Sequence, residues 1–309
     1  MPPPLRGTQS LVGQMGWVFQ RPWLTAIEVA WRCVFGVPFL LVCWRQVRQV
    51  LAVLPLDASG LDAVDAQNPW VAAAQLDRGL ALYRPHVAAV LHWLLPIAAL
   101  AWVVFSALGR SLLLQRLGAG READPAAPGL YRLRILPMIA LQAVWLALWA
   151  AIFFSWLSSM RWTATTHIAV AGEPDLVGFS FWAIFLSLGF FTAWALVSWP
   201  AAIAPILMQL EGCNPAQALA RSLRLGKPFT GKLVEINMVM GIVKLALFVL
   251  AMVLSAAPLP FSDQLGTDTL HWITGAAAIF YLVASDYFQV VRLKGFVEFW
   301  KMFRGRQAS

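Results

Sequence analysis

The chain is 309 residues long, 60% of its residues are hydrophobic, only 12% are charged, and its mean hydropathy is +0.69. This composition exposes too much apolar surface for a water-soluble fold, so it excludes a soluble globular or disordered protein and predicts an integral membrane protein. The formal net charge of +8 favours basic cytoplasmic loops that orient a multi-pass protein over a nucleic-acid-binding surface.

The first predicted element is a short amphipathic helix near the amino end. Between Ser10 and Phe19, the apolar residues Leu11, Met15, Val18 and Phe19 recur at helical spacing, which is typical of a helix lying on a membrane surface. The segment has no short apolar core followed by a small-residue cleavage site, so we expect no removed secretory signal in it.

Six apolar runs are long enough to cross a bilayer, because a hydrocarbon core of about 30 Å takes about 20 helical residues. They lie near residues 29–50, 86–108, 135–158, 177–200, 234–256 and 270–292. We therefore predict an all-α, polytopic transmembrane helical bundle that forms one domain over residues 1–309, with short amphipathic interfacial helices. The charge-free run 176–210 is too long for one span, and Pro200 and Pro205 predict a kink or break near its end.

A separate surface helix is predicted between the first two runs, in the segment NPWVAAAQLDRGLALY. Asn68 suits the N-cap and Pro69 the first helical position, while Leu76, Leu80 and Tyr83 share one face. We interpret it as an interfacial helix on the outer side, with a lid over the bundle as the alternative.

The basic residues alternate between the two sides that six spans define. With both termini in the cytoplasm, sixteen Lys and Arg residues fall inside and five outside, which predicts a multi-pass protein of the cytoplasmic (inner) membrane with N-in and C-in orientation. The inner set is Arg6, Arg21, Arg110, Arg116, Arg121, Arg132, Arg134, Arg221, Arg224, Lys227, Lys232, Arg292, Lys294, Lys301, Arg304 and Arg306. The outer set is Arg45, Arg48, Arg78, Arg84 and Arg161.

One basic stretch, GKPFTGKL, is similar to a phosphate-binding loop, but Leu233 stands where that loop needs a Ser or Thr hydroxyl to hold Mg²⁺. Upstream of it, Asn214, Pro215 and Gln217 form a helix-start pattern, and Gly226 is expected to end that helix ahead of the span. A phosphate loop follows a strand, so we expect no nucleotide binding. We instead predict a surface for anionic lipid headgroups on the cytoplasmic face, made by Arg221, Arg224, Lys227 and Lys232.

Two inner connections have similar sequences. ALGRSLLL, starting at Ala107, and ALARSLRL, starting at Ala218, agree at Ala, Leu, Arg, Ser, Leu and Leu. The similarity predicts a repeated hairpin unit, and the alternative is chance recurrence of apolar and basic residues at an inner membrane boundary.

A pattern in the same region is similar to one found in a family of bacterial six-span membrane proteins. Its residues are Pro205, Glu211, Gly212, Ala218, Ser222, Leu225 and Gly226, ahead of an apolar span. The pattern resembles the membrane domain attached to some glycerophosphodiester phosphodiesterases, and related stand-alone proteins of unassigned function, over about 60 residues. The resemblance implies a helical bundle with cytoplasmic connecting helices. It implies no catalytic residues here, because the chain has no long soluble segment to hold the phosphodiesterase domain.

The chain contains no His-Glu-x-x-His, Cys-x-x-Cys or Gly-x-Ser-x-Gly motif, so we expect neither an enzyme nor a cofactor. Cys33, Cys43 and Cys213 have no paired spacing and are expected to be inert apolar residues. The four histidines are predicted on the outer side without ligand spacing, and we expect no metal site among them. They are His86, His92, His167 and His271.

Ionisable residues inside the spans are the remaining candidates, because a charge at mid-bilayer costs about 2.5 to 3.5 kcal/mol on insertion scales. Glu28 and Arg32 are one helical turn apart and can pair near the inner boundary. Lys244 in span five and Asp286 in span six can meet if the two helices pack antiparallel.

Two functions fit these features. The first is a non-enzymatic integral inner-membrane protein, structural or accessory, acting in envelope or lipid homeostasis through its basic inner surface and a membrane-protein partner. The alternative is a small transporter or permease-like subunit that uses Lys244 and Asp286 within the bundle.

Overall fold

The computed structural model describes residues 7–59, 69–118, 134–168, 175–224, 227–256 and 267–308. Within these ranges nearly every residue is helical and no β-strand occurs, which confirms the all-α prediction. The helices are α1 (Gly7–Phe19), α2 (Pro22–Val53), α3 (Leu56–Ser59), α4 (Pro69–Gly118), α5 (Ile135–His167), α6 (Leu176–Glu211), α7 (Pro215–Leu223), α8 (Lys227–Ala256) and α9 (Thr267–Ala308).

Six helices in the described ranges are long and apolar enough to cross a membrane, which confirms the predicted number of spans. The qualifying segments are Pro22–Val53, Arg78–Leu117, Ile135–His167, Leu176–Glu211, Glu235–Val253 and Trp272–Lys301. Most of these segments are longer than one bilayer crossing requires. For example, the 36 residues of α6 extend about 54 Å at 1.5 Å per residue. Helix α6 must therefore tilt or project beyond the hydrocarbon.

The predicted outer surface helix is not a separate element. Helix α4 runs without interruption from Pro69 to Gly118, through Pro85 and Pro96, so the surface segment and the second span are one helix. Asn68, the predicted N-cap, lies outside the described residues. Continuity has a physical reason: a break within lipid leaves backbone N–H and C=O groups unpaired, at a cost of several kcal/mol.

Two further boundaries differ from the sequence predictions. Helix α6 continues through Pro200 and Pro205 to Glu211, so the helix does not break there, and the alternative of a kink stays a prediction. Helix α8 begins at Lys227, ahead of the predicted start of this span near residue 234. Both prolines of α6 are buried, and in a helical bundle neighbouring groups can satisfy the carbonyls that a proline leaves unbonded.

The chain divides into two compact units, residues 1–30 with 107–309 and residues 31–106. In the first unit, α5 packs on α6, α8 on α9 and α7 on the end of α6, while α1 lies against α9 and α8. In the second unit, Phe35 stacks on Phe39 with ring centroids 5.7 Å apart, and the Tyr83 hydroxyl donates to the Leu54 carbonyl at 3.0 Å. The prediction of one domain stays a prediction.

The buried core of the first unit lies at the helix ends predicted to be cytoplasmic. In α6, the residues from Pro200 to Gln209 are nearly all buried, whereas large side chains of its first half, such as Val177 and Phe191, are 81% and 70% exposed. The same holds for α9, whose buried residues lie mainly between Asp286 and Val297. Side chains facing lipid need no protein partner, so the exposed outer halves fit a membrane-embedded bundle.

Candidate functional site

The strongest intramembrane candidate lies between α8 and α9. Lys244 is half-buried, and its Nζ donates to Gln289 Oε1 at 3.2 Å. Gln289 is three residues from Asp286 on α9, so the two side chains share a face. Both are buried, and Asp286 is completely inaccessible to solvent.

The structure therefore brings Lys244 to the face of α9 that carries Asp286, and the direct Lys244–Asp286 pair stays a prediction. Gln289 was not among the predicted residues, although its spacing of three residues from Asp286 places both on one face of a helix. A buried carboxyl beside an amide-bound ammonium can take up or release a proton, and it can also serve as a purely internal polar contact.

The second predicted pair, Glu28 and Arg32, lies on α2. Glu28 is completely buried in the first unit, and the Arg32 guanidinium lies 5.4 Å from the Trp31 ring in the second unit. Burial of Glu28 agrees with a structural role, and pairing between the two residues stays a prediction.

The corner between α6 and α7 is closed by Arg134, which was predicted only as one of the inner basic residues. Gly212 ends α6 in the left-handed region, with φ of 67°. Arg134 Nη1 donates to the carbonyls of Gly212 at 2.5 Å and Cys213 at 3.2 Å. A guanidinium at a helix C-terminus satisfies free carbonyls and opposes the negative end of the helix dipole.

The predicted lipid surface is partly used within the protein. Arg221 pairs with Glu211 across the α6–α7 corner, and Arg224 is exposed directly after the end of α7. The backbones of Lys227 and Lys232 lie in α8, but their side chains fall outside the described part of the protein.

The helix-start pattern of α7 is confirmed. The backbone N–H of Asn214 donates to Gln217 Oε1 at 3.4 Å, and Pro215 is the first helical residue. Helix α7 ends at Leu223 with Arg224 as its C-cap. Gly226, the predicted end, lies outside the described residues.

Small residues pack this corner and its counterpart on α4. Ala218 and Ser222 on α7 are completely buried, and so are Ala107 and Ser111 at the equivalent positions of the similar stretch on α4. Small residues four apart let helix backbones approach closely in membrane proteins. The residues shared by the two stretches therefore lie on packing faces. The repeated hairpin unit stays a prediction.

Cys213 is part of the same packed corner. It is buried, and this burial raises the pKa of its thiol, with a further rise from the Glu211 carboxylate. A thiol with a raised pKa carries less thiolate and reacts slowly, which agrees with the inert role predicted for Cys213.

His167 and Asp175 hold the end of the α5–α6 hairpin that is predicted to lie on the outer side. The His167 ring lies 3.0 Å from Asp175 Oδ2, and Asp175 Oδ1 accepts the Gly178 N–H at 2.8 Å. The Gly178 amide first, and then the histidine, hold the pKa of the Asp175 carboxyl below its usual 3.8. A side chain at Gly178 would clash with this carboxylate.

The remaining three histidines lie on α4 and α9. His86 and His92 are exposed on α4, and the side chain of His271 is outside the described residues. Among described side chains, no group of three His, Cys, Asp or Glu residues converges to hold a metal ion.

Among the described residues, each unit carries an apolar groove of about 290 Å³. The groove of the first unit lies between α5 and α6 and includes Trp156, whose Nε1 donates to Ser187 Oγ at 3.0 Å; its lining is Trp149, Ile152, Phe153, Trp156, Ser187, Phe190, Phe191 and Trp194. The groove of the second unit is lined by Cys43, Gln46, Val47, Val50, Leu51, Tyr83, Val87, Val90, Leu91 and Leu94. Neither lining contains an acid, a base or a nucleophile paired for catalysis.

Comparison of the chain with protein-family models, curated proteins and solved structures finds no match. The resemblance to the membrane domain of some glycerophosphodiester phosphodiesterases therefore stays a prediction from its motif. The structure and its chemistry define a multi-pass helical membrane protein.

Proposed function

We propose that this chain is a non-enzymatic integral protein of the cytoplasmic (inner) membrane, structural or accessory, acting in envelope or lipid homeostasis. Its basic cytoplasmic surface would contact anionic lipid headgroups, and a membrane-protein partner would complete its role. The proposal agrees with the suggested likeness to stand-alone relatives of a phosphodiesterase membrane domain.

The observation that carries this proposal is the use of charged groups for internal support. Arg134 caps the end of α6, Arg221 pairs with Glu211, and Lys294 pairs with Glu298. The two grooves are walled by apolar side chains. A membrane enzyme or a wide polar path requires polar groups that converge on an open cavity. The three cations named above instead bind carbonyl or carboxylate groups of the protein itself.

Topology tests the membrane placement. Reporters fused after Gly120 and Gly226 should give cytoplasmic signals, and reporters fused after Asp65, Glu173 and Asp263 should give outer signals, because basic loops stay inside. These five fusion points fall outside the described residues, so the test is independent of the helices' packing. A cytoplasmic signal at Asp263 contradicts the six-span orientation.

Transport is the second candidate, favoured by one observation: Asp286 is completely buried within a span and lies one turn from the amide that binds Lys244. Proteoliposomes containing a trapped pH-sensitive dye separate the two functions. The accessory role predicts proton flux equal to that of empty vesicles under an imposed gradient. Flux that Asp286→Asn abolishes and Asp175→Asn leaves intact would establish transport instead.

A further inference from the structure

The corner where α1 meets α2 holds two arginines backed by tryptophan rings. Arg21 lies in the turn between these helices, with its Cζ 4.1 Å from the centre of the Trp17 ring. Arg116, in the last turn of α4, has its Cζ 5.8 Å from the centre of the Trp23 ring. Stacking on an aromatic face orients a guanidinium while leaving its N–H donors available around the edge.

Neither arginine is neutralised by an acidic residue of the described protein. Arg21 donates only to the Trp17 carbonyl, at 3.3 Å, and Arg116 makes only its ring contact. This distinguishes them from Arg221 and Lys294, which are paired with glutamates. Two unneutralised guanidiniums therefore remain at the predicted inner membrane boundary.

The corner is held in place by α9 and by buried residues on either side of it. The Tyr287 hydroxyl donates to the Met15 carbonyl at 2.8 Å, which fixes α1 to α9. Val18 and Leu24, on either side of the Arg21 turn, are completely buried. A cation held in place by its scaffold loses little conformational entropy when it binds a ligand.

The corner also has the surroundings of a lipid headgroup. Trp23 is 44% exposed, and an indole at the boundary between hydrocarbon and water places its ring at headgroup depth. Arg116 is exposed beside it. Guanidiniums bind phosphate oxygens through paired N–H donors, so the chemistry fits a phosphodiester attached to acyl chains.

We propose that Arg21, Arg116 and Trp23 form a binding site for the phosphate of an anionic phospholipid in the inner leaflet. This site is separate from the predicted surface around Arg224, and it holds for either candidate function. Arg21 and Arg116 bind the phosphate oxygens, and Trp23 contacts the glycerol and the start of an acyl chain.

Native mass spectrometry of the detergent-released full chain, titrated with phosphatidylglycerol or phosphatidylcholine, tests the site. The wild-type protein should bind the first phosphatidylglycerol more tightly than phosphatidylcholine. Arg21→Gln and Arg116→Gln should each weaken phosphatidylglycerol binding about fivefold, since a cation near the surface contributes about that factor. Phosphatidylcholine binding should change little.

Two controls make the result specific. Arg161→Gln removes an exposed arginine at the outer end of α5 and should leave lipid binding unchanged. The Arg116→Gln effect should also persist in an Arg224→Gln background, which separates the site from the surface near α7. Equal weakening by Arg161→Gln, or loss of the Arg116→Gln effect in that background, overturns the proposal.

Inorganic phosphate distinguishes a lipid from a free anion. Excess phosphate should fail to displace phosphatidylglycerol, because the acyl chains and Trp23 contribute to binding. Displacement would show a small-anion site and overturn the lipid assignment. Arg21→Gln also removes the hydrogen bond to the Trp17 carbonyl and could loosen α1. The Arg116→Gln measurement is then the decisive one, because this change removes no hydrogen bond within the described protein.

Discussion

Replacing Gly212 by alanine should destabilise the protein through two separable effects. At a φ of 67°, an L-residue brings its Cβ too close to the carbonyl oxygen, which costs about 1 to 2 kcal/mol. The added Cβ would also lie 3.2 Å from Arg134 Nη2 and 3.7 Å from its Cζ. The guanidinium must then move, which weakens its hydrogen bonds to the Gly212 and Cys213 carbonyls.

The size of the second effect follows from those bonds. A hydrogen bond to a charged group contributes about 1.5 to 3 kcal/mol, and Arg134 is half-buried, so solvent screening brings the value towards the lower end. We expect Arg134→Ala to cost about 2 kcal/mol and Gly212→Ala to cost about 2 to 3 kcal/mol. In an Arg134→Ala background, the cost of Gly212→Ala should fall to that of the backbone conformation alone, about 1 to 2 kcal/mol.

Unfolding in mixed micelles with increasing sodium dodecyl sulfate measures these free energies. Gly189→Ala is the matched control on the same helix, because an added Cβ meets no atom within 4 Å there. A glycine replaced by alanine inside an unobstructed helix should stabilise by about 0.5 to 1 kcal/mol. If Gly212→Ala behaves like Gly189→Ala, or if its cost is unchanged without Arg134, the assigned role of the corner is wrong.

Three further predictions concern other parts of the chain. Lys244→Leu or Asp286→Leu alone should lower thermal stability more than the double variant, because each single change leaves one charge in the span without the opposite charge. Strictly additive losses in a double-mutant cycle would show that the two residues do not interact. The chain should bind no nucleotide, and saturable Mg²⁺-dependent ATP binding that Lys232→Ala abolishes would contradict this. The pKa of Asp175 is lowered, so its contribution to the α5–α6 end is present at pH values above the usual 3.8 and is lost as pH falls through the lower folded-state pKa. The protection factor of the Gly178 amide, which compares its exchange rate with the intrinsic rate at the same pH, should therefore fall in acid for the wild type, and an equal fall in Asp175→Asn would rule out this role.

Hydrophobic length was enough to locate the spans, because a bilayer requires about 20 apolar residues for each crossing whatever the tertiary packing. The N-terminal cap of α7 was also predicted correctly, because Asn214, Pro215 and Gln217 lie within one helical turn. Helix ends were harder to predict. Proline at Pro85 or Pro200 breaks helices in water, but the structure continues through both.

The contacts of the candidate sites depend on distant parts of the chain, and sequence patterns carry little information about them. Arg134 lies 78 residues from Gly212, and nothing local indicates that its guanidinium caps α6. Gln289 is 45 residues from Lys244, although its place beside Asp286 on α9 was visible. Arg116 and Trp23 likewise meet only because α4 and the start of α2 converge in the fold.

The position of the core at one end of the first unit has a mechanical consequence. Buried side chains hold together the helix ends that are predicted to be cytoplasmic, whereas the other halves of α6 and α9 carry exposed apolar side chains that we expect to face lipid. A change in bilayer thickness creates hydrophobic mismatch, which helices relieve by tilting at a cost of fractions of a kcal/mol per Å. With the inner ends fixed, we expect the tilt to move the outer ends most. Lateral pressure in the outer leaflet would then change the spacing between the helices on that side. The corner between α6 and α7 would keep its geometry.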